Sequence, residues 1–246
     1  MSGLAIERHP SPSFDNRACA ISHIILHYTD MADCDAALAR LCDAAAKVSA
    51  HYLIRRDGHI FQLVDEAARA WHAGVSYWQG ETDMNSASIG IELDHDGHKD
   101  EAMAAFPEAQ MAALISLLQD IVKRHDILPQ NILGHSDVAP GRKIDPGEAF
   151  DWAALSEAGF GLWVDNVKTE EVPPLALGSE DKAVVPLQKA LAAIGYQITA
   201  DGVFGPQTQT VISAFQRHFR PAKIDGAADA ETQTLVYAVC RLALSP

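Results

Sequence analysis

Two adjacent prolines, Pro173 and Pro174, constrain this chain more than any other feature. They lie in VDNVKTEEVPPLALGSED, a polar and acidic stretch that also carries Gly178. Adjacent prolines fix φ and remove two backbone donors, so neither a helix nor a central strand runs through them. The stretch reads as a linker over residues 166–178. It divides the chain into residues 1–165 and residues 179–246, and each part has to find its own pattern.

In the first part strand and helix signals alternate. Residues 21–28, ISHIILHY, form a short β-branched run suited to a buried strand. Residues 35–47 are rich in alanine and leucine and are expected to be helical. Residues 51–56 and 59–64 flank Asp57-Gly58, a hairpin turn signal. Residues 88–93 are a further compact strand. In 107–124 the residues Met111, Leu114, Leu117, Leu118, Ile121 and Val122 recur at helical spacing, with Pro107 suited to the first turn. Ile132-Leu133-Gly134 leads into a loop rich in proline and glycine. Strands interleaved with helices predict an α/β fold, with a central mixed β-sheet and flanking helices.

The second part repeats itself at an offset of 24 residues: Asp201-Gly202 matches Asp225-Gly226, and Thr208-Gln209-Thr210 matches Thr232-Gln233-Thr234. Each Asp-Gly is a turn and each Thr-rich segment opens an apolar helical pattern; with a helix at 184–194 this predicts a small three-helix domain. A helix start capped near Thr208 is expected. The second copy has Ala228-Asp229 where the first has Phe204-Gly205, which predicts a looser turn.

Composition narrows the partners. The 19 basic and 33 acidic side chains leave a formal charge of −14, which argues against nucleic acid and anionic membranes, both of which need clustered cations. No apolar run approaches the roughly 20 residues of a membrane span. The four cysteines make no disulfide framework in a chain of 246 residues. The start MSGLAIERHPSPSFDNR shows neither a basic n-region nor an apolar h-region, so the sequence as given points to the cytoplasm. A monomer is expected.

The chemistry concentrates in residues 133–147, LGHSDVAPGRKIDPG, where His135 and Asp145 stand ten residues apart on a loop held by two prolines and three glycines. Zinc takes imidazole nitrogen and carboxylate oxygen and, in catalytic sites, keeps one position open. His27, at the end of a buried strand, is the best third ligand. The plainer alternative makes His27 a satisfied core histidine and Asp145 a helix cap. Glu92 places an acid inside the apolar run 89–93, and a buried carboxylate is costly without a partner. It is a candidate proton acceptor, or else a structural ion-pair partner or an outward-facing strand position. Lys143 could aim its ammonium at the same place, or be a solvated loop lysine. His51 reads as a packed, hydrogen-bonded histidine. The run Asp94-His95-Asp96-Gly97-His98 reads as a solvated loop. Cys34 and Cys42, if both helical, are roughly 12 Å apart, too far for a disulfide.

Five segments in order carry a resemblance: Ile25-Leu26-His27-Tyr28-Thr29; Ser49-Ala50-His51-Tyr52-Leu53-Ile54; Ala70-Trp71-His72-Ala73-Gly74; Asn85 with Ser88-Ile89-Gly90-Ile91-Glu92; and Gly134-His135-Ser136-Asp137 through Arg142-Lys143-Ile144-Asp145-Pro146-Gly147. Over residues 15–160 the chain resembles the zinc-dependent N-acetylmuramoyl-L-alanine amidases of type 2, whose fold is shared with peptidoglycan recognition proteins. The resemblance implies one Zn²⁺ per chain held by His27, His135 and Asp145, with Glu92 as catalytic acid–base and Lys143 as oxyanion stabiliser. It implies substrate contacts at Tyr28, His72 and Asn85, with His72 equally readable as structural. The signature Asp201-Gly202-Val203-Phe204-Gly205-Pro206-Gln207-Thr208 makes the second part similar to three-helix peptidoglycan-binding domains. The implied reaction is hydrolysis of the amide between N-acetylmuramic acid and L-alanine, in peptidoglycan or muropeptides. A zinc peptidase cutting wall peptides and a non-catalytic peptidoglycan receptor are the alternatives. A wall-binding module favours the periplasm or cell envelope, where a native signal would have been removed.

Overall fold

The structure, a computed structural model, describes residues 4–99, 102–165 and 167–245. Its centre is a six-stranded sheet in the order β1-β5-β4-β7-β3-β10. These are β1 (Ile6–Arg8), β3 (His23–Tyr28), β4 (Tyr52–Ile54), β5 (Ile60–Gln62), β7 (Ser88–Leu93) and β10 (Ile132–Gly134). Only β4 and β5 pair antiparallel, as the Asp57-Gly58 hairpin requires; the other four pairings are parallel, so the sheet is mixed. Two small antiparallel ladders flank it, β2 (Phe14–Asn16) with β6 (Ala68–Ala70) and β8 (His98–Lys99) with β9 (Ala102–Met103).

The two central strands are asymmetric across the sheet. In parallel register His27 lies beside Glu92 and Ile25 beside Gly90. Because strand side chains alternate, Ile24 and Leu26 of β3 and Ile89, Ile91 and Leu93 of β7 share one face. That face packs on α3 (Glu108–His125) through Leu114, Leu117, Leu118 and Ile121, all fully buried. The opposite face presents His27, Gly90 and Glu92. On that side α1 (Cys34–Leu41) covers Leu53 and Phe61 at one flank. The helix expected over 35–47 stops at Leu41, because the Asp43 side chain accepts from the Ala45 amide and holds a turn that competes with helix. The short helices α2 (Met84–Ala87), α4 (His135–Val138) and α5 (Trp152–Glu157) complete this part. Cys34 is buried and, like the other three cysteines, free. The run 94–98 departs from the solvated loop expected: Asp94 and His95 are buried, and His95 accepts from the Gly97 amide and donates to Ala104 O.

The second part consists of α6 (Val184–Ile194), α7 (Pro206–Phe219) and α8 (Ala230–Ala243). Its repeat is structural. The Gln188 amide nitrogen donates to Asp201, to Val203 O and to Thr208 Oγ1, while its oxygen accepts from the Gly202 amide. Gln216 repeats this with Asp225, Ala227 O, Thr232 Oγ1 and the Gly226 amide. Two expectations are corrected. Thr208 is an acceptor for Gln188 and not a helix cap; α7 begins behind Gly205 without a side-chain cap. The second turn is not looser, since it keeps the same bonds and Asp229 caps α8 through the Thr232 amide at 3.0 Å.

The segment around the two prolines is anchored at its end: Leu175 is buried and exchanges two backbone hydrogen bonds with Ala228. One apolar cluster then runs through both parts, joining Ile25, Trp78, Met84, Leu133 and Val138 to Leu187, Leu191, Tyr196 and Phe215. No helix among the described residues is long and apolar enough to cross a membrane.

Candidate metal centre and its cavity

Parallel pairing of β3 with β7 and β10 brings His27, Glu92 and the start of α4 to one end of the sheet. His135 is the first residue of α4, directly after β10, and the loop that follows returns to Asp145, whose bond to Pro146 is cis. The atoms converge: His27 Nδ1 lies 3.0 Å from His135 Nδ1, and each lies 2.9 Å from Asp145 Oδ2. All three residues are buried, and the group is one that could hold a metal ion.

Protonation suits that use. Burial, followed by the neighbouring His135, pushes His27 down to about 4, so its imidazole is neutral near pH 7. Burial alone would raise Asp145, but hydrogen bonds from His135 and His27 outweigh it and keep the carboxylate ionised far below its usual range. The outer partners set the tautomers. With an ion on its Nδ1, His135 would carry its proton on Nε2 and donate it to Ala73 O at 2.9 Å. His27 Nε2 lies 3.0 Å from His72 Nδ1, and His72 Nε2 lies 3.3 Å from Ser88 Oγ, which donates to Met84 O. With an ion on His27 Nδ1, every proton of this chain has an acceptor: His27 donates to His72, His72 to Ser88, Ser88 to a carbonyl. Two imidazoles and one carboxylate, oriented by second partners, fit the donor set of a catalytic zinc site.

The triad forms one wall of a cavity of about 450 Å³ lined also by Tyr28, Arg40, His72, Glu92, Arg142 and Lys143. Glu92 is 9% exposed and its Oε2 is buried without a hydrogen-bond partner. Burial, then the Asp145 charge, raises its pKa well above the ordinary carboxyl value, and Lys143 pulls it back in part. Lys143 is exposed on the rim and Tyr28 half-buried in the wall.

The structure thus brings His27, His135, Asp145, Glu92, Lys143, Tyr28 and His72 to one cavity. It does not bring Asn85 there. Asn85 is buried behind it, and its Oδ1 accepts from the His72 and Ala73 amides, so it shapes the wall from outside. His51 is the packed, bonded histidine expected: its Nδ1 accepts from the Gly90 amide. Two contributions escaped the sequence reading. Arg142 donates to the Ala73 and Val75 carbonyls and so pins the backbone that holds His135. Gly90 has no side chain because the His72 ring occupies that space: a Cβ there would meet His72 Cγ at 2.4 Å. The available signal was a glycine between two isoleucines in the middle of a strand.

Fold and site together define a mixed-sheet hydrolase in which a buried group of two histidines and one aspartate that could hold a metal ion lies beside a buried glutamate. The chain belongs to the N-acetylmuramoyl-L-alanine amidase family, whose model matches residues 17–148; a peptidoglycan binding domain model matches residues 180–235. It is 41% identical over 231 residues to the N-acetylmuramoyl-L-alanine amidase AmiD of Escherichia coli, covering 89% of this chain and 82% of that one. It is 46% identical over 110 residues to the E. coli 1,6-anhydro-N-acetylmuramyl-L-alanine amidase AmpD, covering 45% and 57% of the two chains. Among solved structures, E. coli AmiD in complex with the substrate anhydro-N-acetylmuramic acid-L-Ala-D-γ-Glu-L-Lys superposes with a TM-score of 0.80 at 38% identity, covering 93% and 92% of the two chains. AmpDh3 of Pseudomonas aeruginosa with anhydromuramic pentapeptide gives 0.73 at 33% identity, covering 89% and 90%.

Proposed function

We propose that this chain cleaves the amide between the lactyl group of N-acetylmuramic acid and L-alanine, in peptidoglycan or muropeptides, with zinc held by His27, His135 and Asp145. The observation that carries the reading is the buried triad with the unpartnered carboxyl of Glu92 beside it in a single cavity. The anhydromuramyl peptides in the AmiD and AmpDh3 structures support a substrate of that chemistry. Zinc, when bound, supplies a Lewis acid for the scissile carbonyl and makes a nearby water more acidic.

The chain's own groups do the rest. Glu92 accepts a proton from the attacking water and hands it to the departing L-alanine nitrogen; its raised pKa brings it nearer the working pH, where a group that must both take and give a proton is most effective. Lys143 sets its ammonium against the tetrahedral oxyanion. Buried His72 fixes the ring of His27 and has both its nitrogens engaged, so its role is orientation of the ligand.

The test is Glu92→Ala against purified muropeptides, followed by mass analysis. The wild type is expected to release free stem peptides, and the variant to lose cleavage by roughly 10²–10⁴-fold while still binding zinc. A product that keeps L-alanine on the sugar identifies a peptidase instead. Full activity in Glu92→Ala removes that residue from the mechanism.

A further inference from the structure

α4 is a single helical turn of four residues, and a turn this short does not hold itself, because nucleating a helix fixes several dihedrals for one hydrogen bond. Yet it carries a metal ligand: His135 is its first residue, and the Ser136 amide donates to Asp145 O at 2.9 Å, so the same turn also pins the backbone of a second ligand. What fixes the turn is Asp137. Its carboxylate is 1% exposed, a state that is expensive unless its oxygens are filled. Three donors fill them. The Gly134 amide supplies one at 2.8 Å from within the loop. The other two come from the C-terminal module: Tyr196 Oη donates to Oδ1 at 2.8 Å, and His218 Nδ1 donates to Oδ2 at 2.8 Å.

Both donors are themselves immobilised. Tyr196 meets Trp78 edge to face at 4.9 Å, and the His218 ring is stacked between Trp152 at 3.7 Å and Phe219 at 3.9 Å. The module packs against the first part elsewhere too. Val138 sits in the shared apolar cluster, the Gln79 amide donates to Gly195 O, and Gly141 lies so close to α7 that a Cβ would meet Thr210 Cγ2 at 2.7 Å.

We infer that the C-terminal module is a positioning part of the metal centre: Tyr196 and His218 clamp Asp137 and thereby hold His135 and the Asp145 loop in ligating geometry. The module's place in the molecule is then mechanical as well as wall-directed, and separating it from the catalytic part would loosen the ion. This rests on the reading of His27, His135 and Asp145 as metal ligands.

The experiment uses the full chain and measures zinc dissociation by competition with a chromogenic chelator, alongside thermal unfolding. Tyr196→Phe and His218→Phe keep the rings and delete only the donors. Gln233→Ala, which removes bonds to Pro173 O and Ala228 O, loosens the same module without touching Asp137. The double variant is expected to bind zinc about tenfold more weakly, each single less so, while Gln233→Ala lowers the unfolding midpoint and leaves zinc affinity unchanged. Zinc binding as tight as wild type in a folded Tyr196→Phe/His218→Phe chain overturns the inference. So does an equal loss in Gln233→Ala, which would make the effect one of stability alone. Should the double variant fail to fold, Tyr196→Phe, short of one hydroxyl, decides by the same comparison. A wild type that binds no zinc sinks the metal reading itself and this inference with it.

Discussion

Gly90→Ala turns the arrangement behind His27 into a measurement. A Cβ at this position would lie 2.4 Å from Cγ, 2.6 Å from Nδ1 and 2.7 Å from Cδ2 of His72. Ordinary contact begins near 3.4 Å, so the ring must retreat by roughly 1 Å. Retreat is obstructed, because the ring is set edge to face against His27 at 5.1 Å and His51 at 5.7 Å. Two costs follow. Overpacking is expected to destabilise the fold by about 1–3 kcal/mol. Displacing Nδ1 removes the acceptor that orients His27, and loss of such a partner weakens metal binding by roughly 10–100-fold. The two effects separate in a cycle. Adding His72→Ala to Gly90→Ala makes room and recovers much of the stability, but leaves zinc affinity low because the acceptor is still missing. Denaturant unfolding of the apoprotein reports the first effect, and zinc competition titration the second. A Gly90→Ala chain with unchanged zinc affinity would refute the claim that His72 orients the ligand.

Further outcomes are expected elsewhere in the molecule. Glu66 is half-buried, which alone would raise its pKa, but bonds from Arg124, His125 and Tyr52 hold it at about 2. A carboxyl depressed in the folded state stabilises above its unfolded value of 4.5, and that contribution is lost as pH falls toward about 2. The loss is on the order of 2–3 kcal/mol, and urea titrations of the apoprotein between these pH values should show it in the wild type and not in Glu66→Gln. Gln216→Ala strips a fully buried amide network and should cost about 2–4 kcal/mol in unfolding free energy, with α7 and the second turn the first to lose amide exchange protection. A strong chelator should lower the thermal midpoint of the wild type, since an ion present at 1,000 times its Kd contributes about 4 kcal/mol. His135→Ala should show no such shift; an equal shift there would place the ion elsewhere.

The residue pattern alone determined whatever depends on neighbours along the chain. The compact run 88–93, the helical spacing in 107–124 and the helix read at 184–194 located β7, α3 and α6 closely, because their apolar patterns are local. The acid inside an apolar strand and the His135–Asp145 pair on the proline- and glycine-rich loop marked the candidate chemistry for the same reason: each is out of place by local rules. Local rules failed where side chains compete. Asp43 cut α1 short with its own hydrogen bond, and Gln188 and Gln216, invisible to the 24-residue offset because they stand 28 apart, proved to organise both turns.

Only tertiary structure decided the rest. Which ring nitrogen of His27 faces the triad depends on His72, 45 residues away, and on the absence of a side chain at Gly90. Asp137 stands in the motif Gly134-His135-Ser136-Asp137 with no role legible from its neighbours; Tyr196 and His218 reach it across 59 and 81 residues. Periodicity carries information about which face of an element is buried, but none about which distant element covers it. That choice is made when surfaces dock, and here the docking joins the three-helix module to the turn that bears His135.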